Sequence, residues 1–394
     1  MNISIIATTN DTNEGFTNEI KDALTTFSGK QAGICYMKDK YFGTYVSDDV
    51  KAAARFNTVA NTGHHSIADH AKVTILFENI SKMLAIVLNG LGDYATSEKS
   101  GRYTIMATES DEEILYNKWM DIFLKRIKEI EPNLDERTQS KLAAENARYV
   151  ISIFTPATTM SYTTSIRQIN YIIDWCERYS KHVPNNTFER RLQEDIVALG
   201  EELKASNLYI PELRDTKGRK FNILAKQEGY NIDKANESYG DSYLIKTKYS
   251  FAAFAQVERH RTIDYFICFD GNAKDFYVPE CIRGTEYETE WLADLNSIAD
   301  NTPIATMIDV VETGLFTNYL LKCDERLCGR AQLETMKNVI ATLQEFDKRD
   351  ELSPFMREEM KRHYCDGEIR MKCNNIKCKE PCFWGPIKAQ TKKV

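Results

Sequence analysis

The stretch that decides the fold runs from Thr62 to Tyr103 and reads TGHHSIADHAKVTILFENISKMLAIVLNGLGDYATSEKSGRY. Three of the chain's six histidines lie near its start, and its last residues, EKSGRY, are mostly polar. A mainly apolar run separates these two ends. Because loops carry function and apolar runs are buried, the pattern predicts two functional loops joined by a buried helix or strand.

The chain also contains two weak internal echoes. A constant shift aligns residues 80–81, IS, with residues 249–250, YS. A second shift aligns residues 170–173, NYII, with residues 318–321, NYLL. Since the echoes occur in the same order in both halves, they indicate a duplicated module.

Motifs within the opening stretch resemble those of flavin-dependent thymidylate synthases. Residues 63–70, GHHSIADH, are similar to that family's GHxSxxEH, with Asp69 in place of glutamate. Residues 98–103, EKSGRY, resemble the end of the family signature RHRxxSxNExSxRY, but residues 90–92, GLG, occupy the RHR positions. The missing part resembles residues 256–261, QVERHR. The family signature is therefore split between the two halves.

Two later segments resemble further landmarks of the same family. They are residues 276–279, FYVP, and Arg326 followed by residues 331–334, AQLE. The resemblance implies an α+β fold of two fused thymidylate-synthase-complementing-type modules that form a pseudo-dimer. Each module is expected to be a small, mostly antiparallel sheet packed with helices.

The predicted boundaries follow the motifs. Residues 1–205 form a first module with GHxSxxDH and ExSxRY, and residues 206–352 form a second module with QxxRHR and RxxxxAQxE. Residues 353–394 form a cysteine-containing tail. Members of the family are homotetramers with sites built between subunits. The resemblance therefore implies a homodimer of the fused chain, equivalent to a tetramer of single modules.

The resemblance also implies an activity, the reductive methylation of dUMP to dTMP. FAD is the implied cofactor, and NADPH and methylenetetrahydrofolate are the implied co-substrates, so folate joins dUMP as a partner. The flavin carries the chemistry while the protein positions the reactants. Two alternatives stay open: a related dUMP/dCMP hydroxymethylase, and a non-catalytic flavin- or nucleotide-binding homologue.

Site residues follow from the matched positions. Arg326 is the implied catalytic residue, because a fixed cation stabilises negative charge that develops on the pyrimidine. Arg178 is its counterpart in the first half and is less well supported by its surroundings. The implied dUMP-binding residues are Gln256, Arg259, Glu98, Ser100, Gly101, Arg102 and Arg148. The implied FAD-binding residues are His64, Ser66, Asp69, Arg259, His260, Arg261 and Glu98.

Local geometry adds one expectation and two alternatives. Alternate side chains of an extended segment point the same way, so Glu98, Ser100 and Arg102 are expected to converge on one ligand. Without the resemblance, the RHR of residues 259–261 is more simply a solvated basic turn. Arg148 would then be half of a salt bridge on a helix surface.

Metal sites are a separate hypothesis. His64, His65, Asp69 and His70 are possible zinc ligands, but their spacing favours the flavin motif. In the tail, Cys373, Cys378 and Cys382 are candidate ligands of a structural metal, although their spacing is not a standard zinc pattern. Free thiols are the alternative.

Bulk properties exclude other classes. The 394 residues carry a formal net charge of −7, so no global basic field predicts a nucleic-acid partner. No apolar run reaches the roughly 18 residues that span a membrane, and the N-terminal residues lack the features of a signal peptide. Ten cysteines without a secretion signal fit a reducing compartment. We therefore expect the cytoplasm, or a host cytoplasm if the protein is viral.

The pattern predicts mostly helices after a first strand at residues 1–6. The predicted helices of the first half are 48–56, 110–130, 140–153, 163–179 and 188–204. In the second half, a strand at 241–249 precedes a helix at 250–258, followed by loop and strand at 263–278 and by helices from 290 to 347.

Overall fold

The computed structural model describes residues 1–9, 16–34, 48–91, 93–102, 104, 110–214, 242–349, 352–374 and 382–394. The strands are β1 Asn2–Thr8, β2 Lys72–Ile80, β3 Tyr94–Glu98, β4 Thr158–Ser165, β5 Ser242–Ser250, β6 Asp264–Cys268, β7 Met307–Leu315, β8 Tyr364–Cys365 and β9 Glu368–Ile369. The α-helices are α1 Asn18–Gly33, α2 Asp49–Asn61, α3 Lys82–Asn89, α4 Ser110–Ile130, α5 Glu136–Ala147, α6 Ile166–Tyr179, α7 Thr187–Ala205, α8 Phe251–Val257, α9 Glu286–Ser297, α10 Phe316–Arg326, α11 Leu333–Asp347, α12 Pro354–Met360 and α13 Gly385–Thr391.

The chain divides into two compact units. The first unit comprises Met1–Lys99 and Pro156–Phe221, and the second comprises Ser100–Thr155 and Asn222–Val394. The helical segment that interrupts the first unit therefore belongs to the second. The module boundaries at residues 205 and 352 stay predictions.

The first unit is built on a four-stranded antiparallel sheet with strand order β1-β2-β4-β3. Along β2, Val73, Ile75 and Phe77 are fully buried and alternate with partly exposed residues. This period of two is the signature of a strand with one covered face. Ser81 then ends the strand and caps α3, because its hydroxyl accepts a hydrogen bond from the amide of Leu84. The apolar run thus contains both a strand and a helix.

One predicted helix of the first unit, at 163–179, begins three residues too early. Residues 158–165 form β4, and α6 begins only at Ile166, where Ser165 is the N-cap. Threonine fills four of the eight positions of β4, and β-branched residues favour a strand that is paired on both sides. Since β4 lies between β2 and β3, tertiary pairing overrides the local helical spacing.

The second unit has a three-stranded antiparallel sheet with strand order β5-β7-β6, and a short hairpin of β8 and β9. Its central strand, β7, lies within residues 290–347, for which the sequence predicts mainly helices. Ile308, Val310 and Glu312 are buried and alternate with less buried neighbours, and β7 pairs on both edges. The predicted mixed fold with small antiparallel sheets is confirmed.

Helices α4 and α5 pack within the second unit. Trp119 and Trp291 are fully buried and meet edge to face, with ring centroids 4.6 Å apart. The indole nitrogen of Trp119 donates to Asp294 Oδ2 at 2.9 Å. Helix α5 begins at Glu136 after the N-cap Asp135 and ends at Ala147, so the predicted helix at 140–153 begins and ends earlier.

The two units repeat one chain connectivity. In the first, β2, a capping serine, α3 and β3 are followed later by β4, α6 and α7. In the second, β5, a capping serine, α8 and β6 are followed by β7, α10 and α11. Ser81 Oγ donates to Asp195 Oδ2 of α7 at 2.5 Å, and Ser250 Oγ donates to Glu334 Oε2 of α11 at 2.7 Å. The sequence echoes fall on these matching elements.

The tail packs within the second unit. The amide of Lys372 donates to the carbonyl of Leu327 at 2.7 Å, which ties the turn after β9 to the end of α10. A Cβ added at Gly329 would lie 2.7 Å from Trp384 Cβ, so glycine is needed at this close approach. Among the described residues, none of the helices is both long enough and apolar enough to cross a bilayer.

Candidate functional site

A cavity of about 360 Å³ lies in the second unit. Its wall contains two tyrosines that stack on each other, Tyr149 and Tyr277, with ring centroids 5.1 Å apart. Its charged lining residues are Arg102, Lys141, Arg330, Lys392, Glu145 and Glu334. Cations outnumber carboxylates in this wall, so the cavity suits a small anionic ligand.

Arg102 enters the cavity from the turn that follows β3. Its Nε lies 2.9 Å from Glu145 Oε1, and its Nη2 donates to the carbonyl of Arg330 at 2.7 Å. The expected extended geometry from Glu98 to Arg102 is wrong, because the strand ends at Glu98 and the backbone then turns. In this turn the amide of Arg102 donates to Ser100 Oγ at 3.3 Å, and Gly101 is buried.

Arg148 is buried at the end of α5. Its Nε donates to the carbonyl of Glu145 at 3.1 Å, and its Nη2 is buried with no hydrogen-bond partner among the residues that the structure describes. Burial lowers the pKa of Arg148, and the charge of Glu145 opposes this shift. The alternative of a salt bridge on the helix surface is therefore wrong.

A buried network joins the cavity to the end of α8. The carboxylate of Glu334 accepts hydrogen bonds from the amide and hydroxyl of Ser250, both at 2.7 Å, and from the hydroxyl of Tyr149 at 2.8 Å. Gln332 Nε2 donates to the same Tyr149 hydroxyl at 2.5 Å and its Oε1 accepts from Gln256. Burial raises the pKa of Glu334, and these hydrogen bonds oppose the rise.

Arg326 and His260 form a second polar pair in this unit. Arg326 Nε donates to His260 Nε2 at 3.0 Å, and its Nη2 donates to the carbonyl of Gln256 at 2.9 Å. Burial lowers the pKa of His260 to about 3, and the charges of Arg326 and Lys322 act in the same direction. The ring is therefore neutral near pH 7, with Nε2 as acceptor and the proton on Nδ1.

Charge couples this pair to other predicted site residues. Burial is the main cause that lowers the pKa of Arg326, and the positive charges of Arg102 and Arg259 lower it further. Arg259 and Arg261 themselves are exposed in the turn after α8. The second unit thus brings predicted residues from both sequence halves into one neighbourhood: Arg102, Arg148, Gln256, Arg259, His260 and Arg326.

Four other predicted residues lie in the first unit: His64, Ser66, Asp69 and Glu98. The carboxylate of Glu98 contacts the ammonium group of Lys82. His64 and Ser66 are exposed around the 3-10 helix His65–Asp69. Asp69 pairs with Arg167 at 2.6 Å and also accepts from Ser165 Oγ at 3.0 Å.

The histidine-rich loop does not form a metal site in the structure. His65 is buried, with Nδ1 2.8 Å from the hydroxyl of Tyr171 and Nε2 3.1 Å from the carbonyl of Ala60. Within the described ranges, no group of three or more histidine, cysteine or acidic side chains is placed to hold a metal. Cys373 and Cys382 are partly exposed, and Cys378 lies outside the described residues, so the tail site stays a prediction.

Several cavity residues were missed by sequence reasoning. Glu145 lies three residues before Arg148 and four before Tyr149, and these are the spacings of one helix face, which was the available signal. Trp384 and Lys392, both in the tail, line the same cavity, and no sequence motif predicts this position for them.

The fold and the cavity together define a class of protein. The chain is an α+β protein whose second unit encloses a cavity suited to a small anionic ligand. Residues 25–175 match the family model described as thymidylate synthase complementing protein. The predicted resemblance to flavin-dependent thymidylate synthases is thereby confirmed over this segment.

Solved structures give further similarities. The chain is similar to two crystal structures of a flavin-dependent thymidylate synthase from Helicobacter pylori with FAD and dUMP, at 15% and 17% identity; each match covers 55% of this chain and 100% of that chain, with a TM-score of 0.32. It is also similar to a UMP/dUMP methylase from Streptomyces cacaoi bound with 5-Br dUMP, at 12% identity, 53% and 97% coverage and a TM-score of 0.30. No curated protein matches the chain.

Proposed function

We propose that the protein is a flavin-dependent thymidylate synthase that reductively methylates dUMP to dTMP. The observation that carries the proposal is the cluster in the second unit, where residues implied by the split family signature are neighbours. Arg102, from the first half of the sequence, donates to the carbonyl of Arg330. Gln256, from the second half, donates to the side chain of Gln332. Because Arg330 and Gln332 are only two residues apart, residues from both halves meet at one segment.

The cavity supports a mononucleotide as the ligand. Its volume of about 360 Å³ lies at the lower end of the ~300–1,000 Å³ range of small-molecule sites. The guanidinium of Arg102 supplies charged donors for a phosphate. The stacked Tyr149 and Tyr277 provide an aromatic surface for a base. Arg326 retains donors beyond the two that it gives to His260 and Gln256, and it is the proposed cation for the pyrimidine ring.

FAD is the proposed cofactor, and it would supply the hydride for the one-carbon transfer. A cavity of this size does not hold a whole dinucleotide, so other residues must contribute. His64 and Ser66 in the first unit, and Arg259 and Arg261 in the second, are exposed polar side chains of the kind that bind phosphates and ring edges. Glu98, Asp69 and His260 complete the proposed set, although each already contacts a protein group.

The repeated connectivity supports an internal duplication. In each unit a strand, β2 or β5, is followed by a serine cap whose hydroxyl donates to a carboxylate, the partly buried Asp195 or the buried Glu334. Burial is the main cause that raises the pKa of both carboxyl groups. On this proposal the fused chain keeps one nucleotide site and acts as a homodimer in the cytoplasm, or in a host cytoplasm if it is viral.

A reconstitution assay tests the proposal. The purified chain is incubated with dUMP, methylenetetrahydrofolate, NADPH and FAD, and the mass of the nucleotide product is measured by mass spectrometry. We expect a product one methylene heavier than dUMP. Arg259→Ala and Glu98→Ala are each expected to abolish it if both halves serve one centre, and full activity in either variant would reject that arrangement.

The same assay separates the two alternatives. A dUMP or dCMP hydroxymethylase would give a product heavier than its substrate by one CH2O unit, because water instead of hydride adds to the transferred methylene group. A binding protein would take up FAD or dUMP, with a stoichiometry measurable by calorimetry, and give no product. We expect one dUMP per chain, and two equivalent sites per chain would contradict the single-site proposal.

A further inference from the structure

Lys392 is a buried lysine in the tail, and it lies in the wall of the cavity. Its Nζ donates to the carbonyl of Gly329 at 2.9 Å and to the carbonyl of Ala331 at 3.0 Å. The carbonyl between these two, that of Arg330, accepts from Arg102 Nη2 at 2.7 Å. Two cations from distant parts of the chain therefore hold three consecutive carbonyls.

This arrangement leaves Lys392 with binding capacity. An ammonium group has three N–H donors, and the two carbonyls take two of them. Lys392 is only 5% exposed, and its Nζ lies 5.3 Å from the ring centroid of Trp384, which also lines the cavity. A charge removed from water in this way is costly unless it is compensated. Neutral carbonyls compensate it in part, and an anion would do so fully.

We propose that Lys392 binds the phosphate group of the mononucleotide in this cavity, beside Arg102. The inference rests on the proposed function for the nucleoside part of the ligand, but the phosphate part follows from the cavity alone. Charge-assisted hydrogen bonds to phosphate are the strong ones, and a buried lysine supplies one without the screening that weakens a surface cation. The tail thereby becomes part of the binding site.

The ionisation of Lys392 supplies a separate signature. Burial lowers its pKa to about 8, the charge of Glu145 opposes this shift and that of Arg102 adds to it. The cation is therefore present below about pH 8 and is lost above it. The titratable and charged groups that face Lys392 are Glu145 on α5, Arg102 after β3, Cys328 after α10 and Cys382 before α13.

Calorimetric titrations with dUMP, deoxyuridine and inorganic phosphate test the inference, and Lys393→Met is the matched control because Lys393 is exposed. Removing one charge-assisted hydrogen bond costs roughly 10- to 100-fold in affinity. We expect Lys392→Met to weaken the binding of dUMP by about that factor and to leave the affinity for deoxyuridine unchanged. Lys393→Met is expected to change neither affinity. Equal weakening of both ligands, no change, or tighter dUMP binding would overturn the inference.

If Lys392→Met does not fold, the inference is tested by measuring ligand affinity as a function of pH on the unmutated protein. The ratio of dUMP to deoxyuridine affinity is expected to fall between pH 7 and 9, and a constant ratio would overturn the inference. Inorganic phosphate separates the two proposals. If the chain binds phosphate through Lys392 but does not bind dUMP, the proposed function fails while the phosphate site stands.

Discussion

Arg326 Nε donates a hydrogen bond to His260 Nε2 at 3.0 Å, so the histidine of the RHR segment is held as a neutral acceptor. This pairing differs from a solvated basic turn, in which the imidazole would face water. It also fixes the direction of the Arg326 guanidinium, because a second donor of the same fork reaches the carbonyl of Gln256 at 2.9 Å. The RHR segment therefore positions the proposed catalytic arginine.

The first prediction concerns the pH dependence of stability. Burial, assisted by Arg326 and Lys322, lowers the pKa of His260 from 6.5 to about 3. A depressed pKa means that the unfolded chain binds the proton more readily, so the free energy of unfolding falls as the pH drops from about 6.5 towards 3. One such group contributes at most about 1.4 kcal/mol per pH unit.

His260→Gln is expected to flatten this fall, because glutamine keeps an acceptor for Arg326 without a titrating ring. Urea unfolding at a series of pH values measures the slope. His64→Gln, which changes an exposed histidine, is the control. If the two variants have the same slope as the unmutated chain, the lowered pKa is not a determinant of acid stability.

The second prediction separates Arg326 from its counterpart Arg178. Lysine keeps the positive charge but cannot donate from a planar fork to both His260 and Gln256. We expect Arg326→Lys to lower turnover of dUMP about 100-fold, as for the loss of one donor that stabilises transition-state charge, with a smaller change in dUMP affinity. Arg178→Lys should leave turnover intact. Equal effects would show that the fork geometry in the second unit is not special.

The sequence predicted those features that depend on residues close together in the chain. The polar–apolar–polar pattern around β2 and α3 identified a buried core, and Ser81 is a recognisable cap. The strands β4 and β7 were missed because each is central in its sheet, and their pairing with two neighbours outweighs local helical spacing. Motif resemblance pointed to Arg102 and Arg326, because the residue types that make up each motif stand close together in the sequence, and their roles in a site stay proposals.

Lys392 shows where local signals end. Its partners are carbonyls of Gly329 and Ala331, and any residue type supplies a carbonyl. No spacing of residue types in the sequence could therefore predict the contact. Arg148 is intermediate, because its position in a helix was predictable but its burial depends on how α5 packs.

The third prediction uses the buried Arg148. Its Nη2 has no hydrogen-bond partner in the described part of the chain, so the ligand-free protein bears an uncompensated desolvation cost. We expect Arg148→Met to leave the free energy of unfolding unchanged or raised. The same change should weaken dUMP binding about 10- to 100-fold if that donor serves the ligand.

Thermal unfolding and calorimetry on the same preparation provide the measurement. Arg137→Met, on the exposed part of α5, is the control for the removal of a positive charge. Loss of stability together with loss of binding would identify Arg148 as a structural residue and remove it from the proposed site.

The fourth prediction concerns the fully buried ion pair of Lys322 and Glu312, whose side chains are 1% and 0% exposed. Their charged atoms lie 2.5 Å apart, Lys322 Nζ is 3.1 Å from the hydroxyl of Tyr249, and Glu312 accepts from the hydroxyl of Tyr243 at 2.8 Å. Removing one partner leaves the other charge buried and unpaired. We expect Lys322→Met to cost about 3–5 kcal/mol.

Removing both charges is expected to cost less than removing either one, because the double variant Lys322→Met with Glu312→Leu leaves no buried charge. Its remaining cost is that of the two tyrosine hydroxyls, at about 1–3 kcal/mol for each hydroxyl that finds no partner. A double-mutant cycle by urea unfolding measures the coupling. Additive single effects would show that the pair does not act as a unit.

Because the charge of Lys322 also lowers the pKa of His260, the lysine variant should make the acid-induced loss of stability shallower. This second readout links the buried pair to the Arg326–His260 contact through charge, whatever the size of the stability change.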